Sequence, residues 1–139
     1  MADETRRVCL DTDVVIDYLK GTEETSDIIQ KLYFKFDEIA LTVITVYELL
    51  FGVEYMGGKD RLEIETIISS SCILPLDEES ARESAKISAT LKKSGKQIGI
   101  ADELIGAICI TSDSFLLTKN AEHFRRINNL RVLELNEIR

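Results

Sequence analysis

Short apolar runs, each ending at a turn, recur between helical stretches along this chain. That alternation restricts the fold more than any other feature. Val8-Cys9-Leu10, Ile39-Ala40-Leu41, Cys72-Ile73-Leu74, Phe115-Leu116-Leu117 and Val132-Leu133-Glu134 are too short for helices, and largely apolar on both faces. Strands of that kind belong in a sheet covered on both sides. Between them the spacing predicts a short helix after Leu10, capped by Thr12 or Asp13 and closed at Gly21. Further helices are expected over 24–34, over about Val43–Tyr55 with a stop at Gly57-Gly58, and over about Lys59–Ser69. The last two cover Asp77–Lys93 and 101–111. In the Asp77–Lys93 helix a stripe of Ala81, Ala85 and Ala89, with Ile87 and Leu91 beside it, is expected to face a neighbouring helix. The pattern is that of an α/β sandwich with a mainly parallel sheet of about five short strands between helices.

A chain of 139 residues, 45% hydrophobic and 30% charged, suits one domain over 1–139 with its core at about 8–135. No apolar run is long enough to span a bilayer, and Met1-Ala2-Asp3-Glu4 lacks a basic-then-apolar leader, so a cytoplasmic protein with no membrane partner is expected. Cys9, Cys72 and Cys109 each lie beside aliphatic residues, with neither zinc nor redox spacing, and read as buried reduced thiols. A single His leaves a Ser-His-Asp triad or a His-rich metal site little to work with. With 17 Lys+Arg against 25 Asp+Glu the net charge is −8, which argues against holding nucleic acid by bulk charge. A carboxylate cluster could still recruit cations that bridge to phosphate.

In such a sheet, ligands bind beyond the carboxyl ends of the strands, where the strand order switches. Four polar side chains fall at corresponding ends of separate elements. Asp11 directly follows the first strand, and Glu48 stands three residues beyond Thr45 in the helix after the second. Asp102 opens the helix over 101–111, where the dipole favours an anion, and Asn120 follows the fourth strand just after Thr118. Asp11, Glu48 and Asp102 sit among hydrophobic neighbours, so exposure to solvent does not account for them. Carboxylates crowded together repel and take up protons unless a cation neutralises them. Oxygen donors without His or Cys favour Mg²⁺ or Mn²⁺ over zinc. The chemistry indicated is metal-assisted hydrolysis of a phosphodiester.

Four segments, LDTDVVIDYLKG (10–21), ITVYELLFGV (44–53), IGIADELIGAICI (98–110) and LLTKNAEHFRRI (116–127), together resemble PIN-domain nucleases, and more narrowly the VapC-type toxins of toxin–antitoxin pairs. The resemblance runs from about Val8 to Glu134. It implies that Asp11, Glu48 and Asp102 are the metal-site acids, and that Thr12 and Thr118 are hydroxyls orienting the cluster. The family's fourth acid often lies two residues beyond the Thr of the last motif, where this chain has Asn120. The resemblance further implies cleavage of single-stranded or structured RNA, a homodimer, and inhibition by a cognate antitoxin that fills the acidic groove.

Plainer readings stand beside these. Asp11 and Asp102 could be helix-start residues, Glu48 a solvated one, and Asp13 fits either a cap or an outer acid of the site. Glu103, Asp17 and Glu122 read as solvent-facing or as supports of the site, and His123 as a surface or locally hydrogen-bonded residue. Among the basic residues, Lys119 and Arg125 lie nearest the site in sequence and are the candidates for RNA contact. Tyr18, Tyr33, Phe34 and Phe36 flank the second helix as core, as an antitoxin groove or as a dimer seam. Two rival functions use the same residues. Leu10–Val15 fits a haloacid-dehalogenase-like phosphatase with Asp11 as nucleophile and Asp13 as acid/base, though Asp102 opens a helix where a strand end would be needed. A non-catalytic receiver would need an acceptor Asp after the third strand, where Leu74-Pro75-Leu76 stands instead.

Overall fold

In the computed structural model, which describes residues 5–58 and 60–138, the five apolar runs form one sheet, parallel throughout, in the order β3-β2-β1-β4-β5. The elements in chain order are β1 (Arg7–Leu10), α1 (Thr12–Leu19), α2 (Glu23–Lys35), β2 (Glu38–Thr42), α3 (Val43–Met56), α4 (Arg61–Ser70), β3 (Cys72–Leu74), α5 (Glu78–Lys93), α6 (Ile100–Thr111), β4 (Phe115–Leu117), α7 (Ala121–Phe124) and β5 (Val132–Leu133), before a 3-10 turn at Leu135–Glu137. Met1–Glu4, Lys59 and Arg139 lie outside the described residues, and with them both the amino-terminal leader question and the expected start of the fourth helix. No described helix is long and apolar enough to cross a membrane.

Side chains of a strand alternate between faces, and the sheet uses both. Val8, Leu10, Leu41 and Leu117 pack with Val14, Val15, Ile28, Leu32 and Leu49 under α1–α4. Cys9, Ala40, Leu74 and Leu116 pack with Ile87, Leu91, Ile105, Ala107 and Ile108 under α5 and α6. This three-layer arrangement explains why polar residues in the strands are confined to their ends, at Arg7, Glu38 and Thr42. Cys9 and Cys109 are buried in the second layer, Cys72 is half-buried, and all three are free thiols.

Several expectations need correction. The α1 cap is Asp11, whose Oδ1 accepts from the Thr12 amide at 2.8 Å, so Thr12 and Asp13 already lie inside the helix. Ala81, Ala85 and Ala89 face solvent, while Ser80, Ser84, Ile87 and Leu91 form the inner face of α5. Small serines serve the same close packing as alanine, and Ser80 also closes a capping box with Asp77, worth about 1 kcal/mol. Of the aromatic residues around α2, only Phe36 is core, stacked edge-on with Phe115, whereas Tyr18, Tyr33 and Phe34 are exposed. Gly57 closes α3 in the left-handed conformation, φ 98°, with its amide on the Val53 carbonyl.

Candidate active site

Strand order runs outward from β1 in one direction through β2 and β3, and in the other through β4 and β5. The switch therefore lies at the carboxyl ends of β1 and β4, and Asp11 occupies it. Its backbone amide donates to the Leu117 carbonyl at 2.9 Å, continuing the β1–β4 ladder by one residue and pinning the side chain at the sheet edge. A pocket of 520 Å³ opens there, lined by Asp11, Thr12, Asp13, Ile16, Tyr47, Glu48, Phe51, Asp102 and Asn120. All four residues singled out at the ends of separate elements thus share one cavity, although 91 positions separate Asp11 from Asp102.

Hydroxyl groups hold the acids from behind. The Asp11 carboxylate, only 5% exposed, accepts from Thr118 Oγ1 at 2.8 Å through Oδ2. Thr118 is fully buried and also accepts the Asn120 amide at 2.9 Å, so one hydroxyl ties β4 to both acid and amide. Thr12 Oγ1 donates to Glu48 Oε1 at 2.6 Å. With that hydrogen committed, the 2.9 Å contact between Thr12 and Thr45 has the Thr45 hydroxyl donating. Thr45 is itself fixed by its amide on Thr42 Oγ1 at the start of α3. Asp13 is exposed at the pocket rim. The Asn120 amide nitrogen meets His123 Nδ1 at 2.8 Å, which gives His123 the local role expected of it and leaves Asn120 Oδ1 out of that contact.

Burial and mutual repulsion dominate the electrostatics. Loss of water pushes the Asp11 carboxyl up to about 6, against the opposing bonds from Thr118 and Thr12, with Asp102 and Asp13 adding repulsion. Burial likewise pushes Asp102 up to about 6, with Glu48, Asp13 and Glu103 repelling it. Among the described residues, no three His, Cys, Asp or Glu side chains already stand in an ion-gripping cluster. The donor set nevertheless suits a hard divalent cation: carboxylate oxygens from three separate elements, an amide oxygen, and a charge repulsion that such an ion would relieve.

The remaining candidates lie outside the pocket lining. Glu103 is buried and accepts from Ser88 Oγ at 2.6 Å, so it joins α6 to α5 and does not face solvent. Lys119 and Arg125 do not line the pocket. Lys119 pairs with Asp17, and Arg125 pairs with Glu134 and Glu137 at 3.1 Å each. Sequence reading missed Tyr47 and Phe51 as lining residues. Their i, i+4 spacing, two positions out of phase with buried Thr45 and Leu49, was the available signal.

The PIN domain family model matches residues 8–130. "Ribonuclease VapC" of Rickettsia bellii is 32% identical over 129 residues, covering 89% of this chain and 92% of that protein. Among solved structures, DNA-bound VapBC from Salmonella typhimurium superposes with a TM-score of 0.83 at 25% identity, over 94% of this chain and 98% of that one. VapBC-5 from Mycobacterium tuberculosis, a member of the VapBC family of toxin–antitoxin systems, gives a TM-score of 0.69 at 26% identity, over 92% of this chain and 96% of that one. The strand order, the acid-lined switch point and these matches agree: the chain belongs to the PIN domain family, and within it to the VapC-type proteins.

Proposed function

We propose that this chain is a divalent-metal-dependent endoribonuclease, acting as one unit over 1–139 in the cytoplasm, and the toxin of a toxin–antitoxin pair with a cognate antitoxin as partner and a homodimer as its assembly. The single observation that carries this reading is the convergence of Asp11, Glu48, Asp102 and Asn120 on one pocket at the strand switch. The names of the relatives, a ribonuclease and toxin–antitoxin systems, support the choice of RNA and of an antitoxin. They favour this reading over a phosphatase or a receiver.

In this assignment Asp11, Glu48 and Asp102 would hold at least one Mg²⁺ or Mn²⁺, with Asn120 completing or orienting the site. Bound there, the ion supplies water activation and offsets charge on the phosphate as the P–O bond breaks. The chain's own contribution is positioning. Thr118 and the Thr12 amide keep Asp11 aimed and more acidic than burial alone would leave it. Thr12, braced by Thr45, fixes the Glu48 rotamer. Asn120, steadied by His123, brings a neutral oxygen where a fourth acid would add repulsion. Asp13 at the rim adds negative charge without a fixed partner and acts as an outer acid.

RNA cleavage by the purified protein, with Mn²⁺ or with EDTA and beside Asp102→Asn, tests the reading. Metal-dependent cutting that disappears in the variant is expected. Cutting that survives both EDTA and the substitution would remove the assignment.

A further inference from the structure

Helix α3 carries two opposite faces. Thr45, Leu49 and Val53 are buried, and Tyr47, Phe51 and Tyr55, two residues or about 200° further round, are 66%, 56% and 78% exposed. The three rings form a continuous ladder. Tyr47 and Phe51 stack with centroids 6.1 Å apart and planes 27° from parallel, and Phe51 and Tyr55 at 5.8 Å and 14°. Two of the three line the same pocket as the carboxylates. The ladder therefore begins beside Glu48 and runs along the helix away from it for about 12 Å.

An exposed ladder is not needed for the core, which α3 reaches with its other face. Its place at the mouth of an acidic pocket answers a separate difficulty. The net charge is −8 and the pocket lining contains no Lys or Arg. The nearest cation in sequence, Lys119, is paired with Asp17. The lining therefore offers phosphates no basic side chain, and beyond the ion that the acids would hold, affinity for a polyanion draws on a source indifferent to charge. Base stacking on aromatic rings is such a source, since every base presents a π-face.

Resting on the ribonuclease reading above, we propose that Tyr47, Phe51 and Tyr55 form a stacking track that holds unpaired bases next to the bond to be cut. Duplex RNA, whose bases are already stacked on one another, would not engage the track. The rings act as positioning residues: they hold bases and touch no reacting atom.

The test compares Phe51→Ala and Tyr55→Ala with the conservative Phe51→Tyr. Alanine is a good helix former at exposed positions, so the fold is kept. On an unstructured RNA oligonucleotide with Mn²⁺, KM should rise on the order of tenfold for Phe51→Ala, with kcat within about twofold, and return in Phe51→Tyr. A 2-aminopurine base in the same oligonucleotide, bound to Asp102→Asn so that it is not cut, should be quenched, and the quench should vanish when Phe51→Ala is added. Wild-type KM and quench in the alanine variants would overturn the track while leaving the ribonuclease reading in place. So would a KM change that tracks dissociation of a dimer in sedimentation, which would make the ladder a self-association seam. A wild type that neither cuts RNA nor is stabilised by Mn²⁺ would remove the ribonuclease reading, and the track with it.

Discussion

Replacing Asp11 by Asn should make the metal-free protein more stable at pH 8 and less responsive to metal. The Asp11 carboxyl is held at about 6 in the fold against 3.8 as its ordinary value. A difference of roughly 2 pKa units corresponds to about 3 kcal/mol against folding when the group is ionised. The folded protein binds this proton more tightly than the unfolded chain does. In EDTA the cost is therefore absent below about pH 4 and grows as pH rises through about 6. Asn removes it. Its Oδ1 can still accept the Thr12 amide, but its nitrogen cannot accept the Thr118 hydroxyl, a loss of about 1 kcal/mol. The net gain at pH 8 is about 2 kcal/mol, or a Tm higher by roughly 6 °C for a chain of this size. Thermal melts at pH 8 and at pH 4, each in EDTA and in Mn²⁺, measure both effects. Mn²⁺ at a hundred times its Kd should stabilise the wild type by about 2.7 kcal/mol and the variant far less. The reasoning fails if the variant melts at or below the wild type at pH 8 in EDTA, or if its advantage is the same at pH 4.

Three further outcomes follow from the same contacts. Thr118→Val removes the hydroxyl that lowers the Asp11 carboxyl and takes the Asn120 amide, so the acidic limb of the pH–rate profile should move up and a urea melt should show a loss of about 1 to 3 kcal/mol. Glu48→Gln keeps the acceptor for Thr12 while removing a charge that repels Asp102. NMR titration should find the Asp102 carboxyl lower than in the wild type, and RNA cleavage should drop by roughly a hundredfold or more. Gly106→Val should destabilise by about 1 to 3 kcal/mol in a urea melt. A Cβ there would come within 2.6 Å of Ile127 Cδ1, and Ile127 is itself buried.

The strands were legible because a sheet covered on both faces leaves short apolar words that nothing else explains. The candidate acids were legible for the converse reason: Asp11, Glu48 and Asp102 each carry charge among hydrophobic neighbours, and an unpaired charge has no place in a core. Errors cluster where one residue type serves two environments. Ala81, Ala85 and Ala89 look like a packing stripe, yet α5 turns Ser80 and Ser84 inward, because a buried serine can bond the helix start or pack as closely as alanine. Glu103 beside Asp102 looks solvated until α5 supplies Ser88. The four-residue α7 is too short to show a period. The carboxylates that pair with Lys119 and Arg125 stand elsewhere in the sequence and are seen only in the fold. Tyr47 reads as one more hydrophobic neighbour of Glu48 until the other side of the helix is seen to face water.

The Thr118–Asp11 hydrogen bond joins residues 107 positions apart, and β4 supplies the second partner of β1. During synthesis on the ribosome, β1 is made long before β4 and can pair only with β2 until Phe115–Leu117 exists. That leaves an open edge on the most central strand, and closing it requires a long loop to be ordered, which is the slow step for parallel sheets. Asp102 and Thr118 are also the late arrivals of the acid cluster. The pocket at the strand switch is therefore assembled only once β4 has been made and has paired with β1.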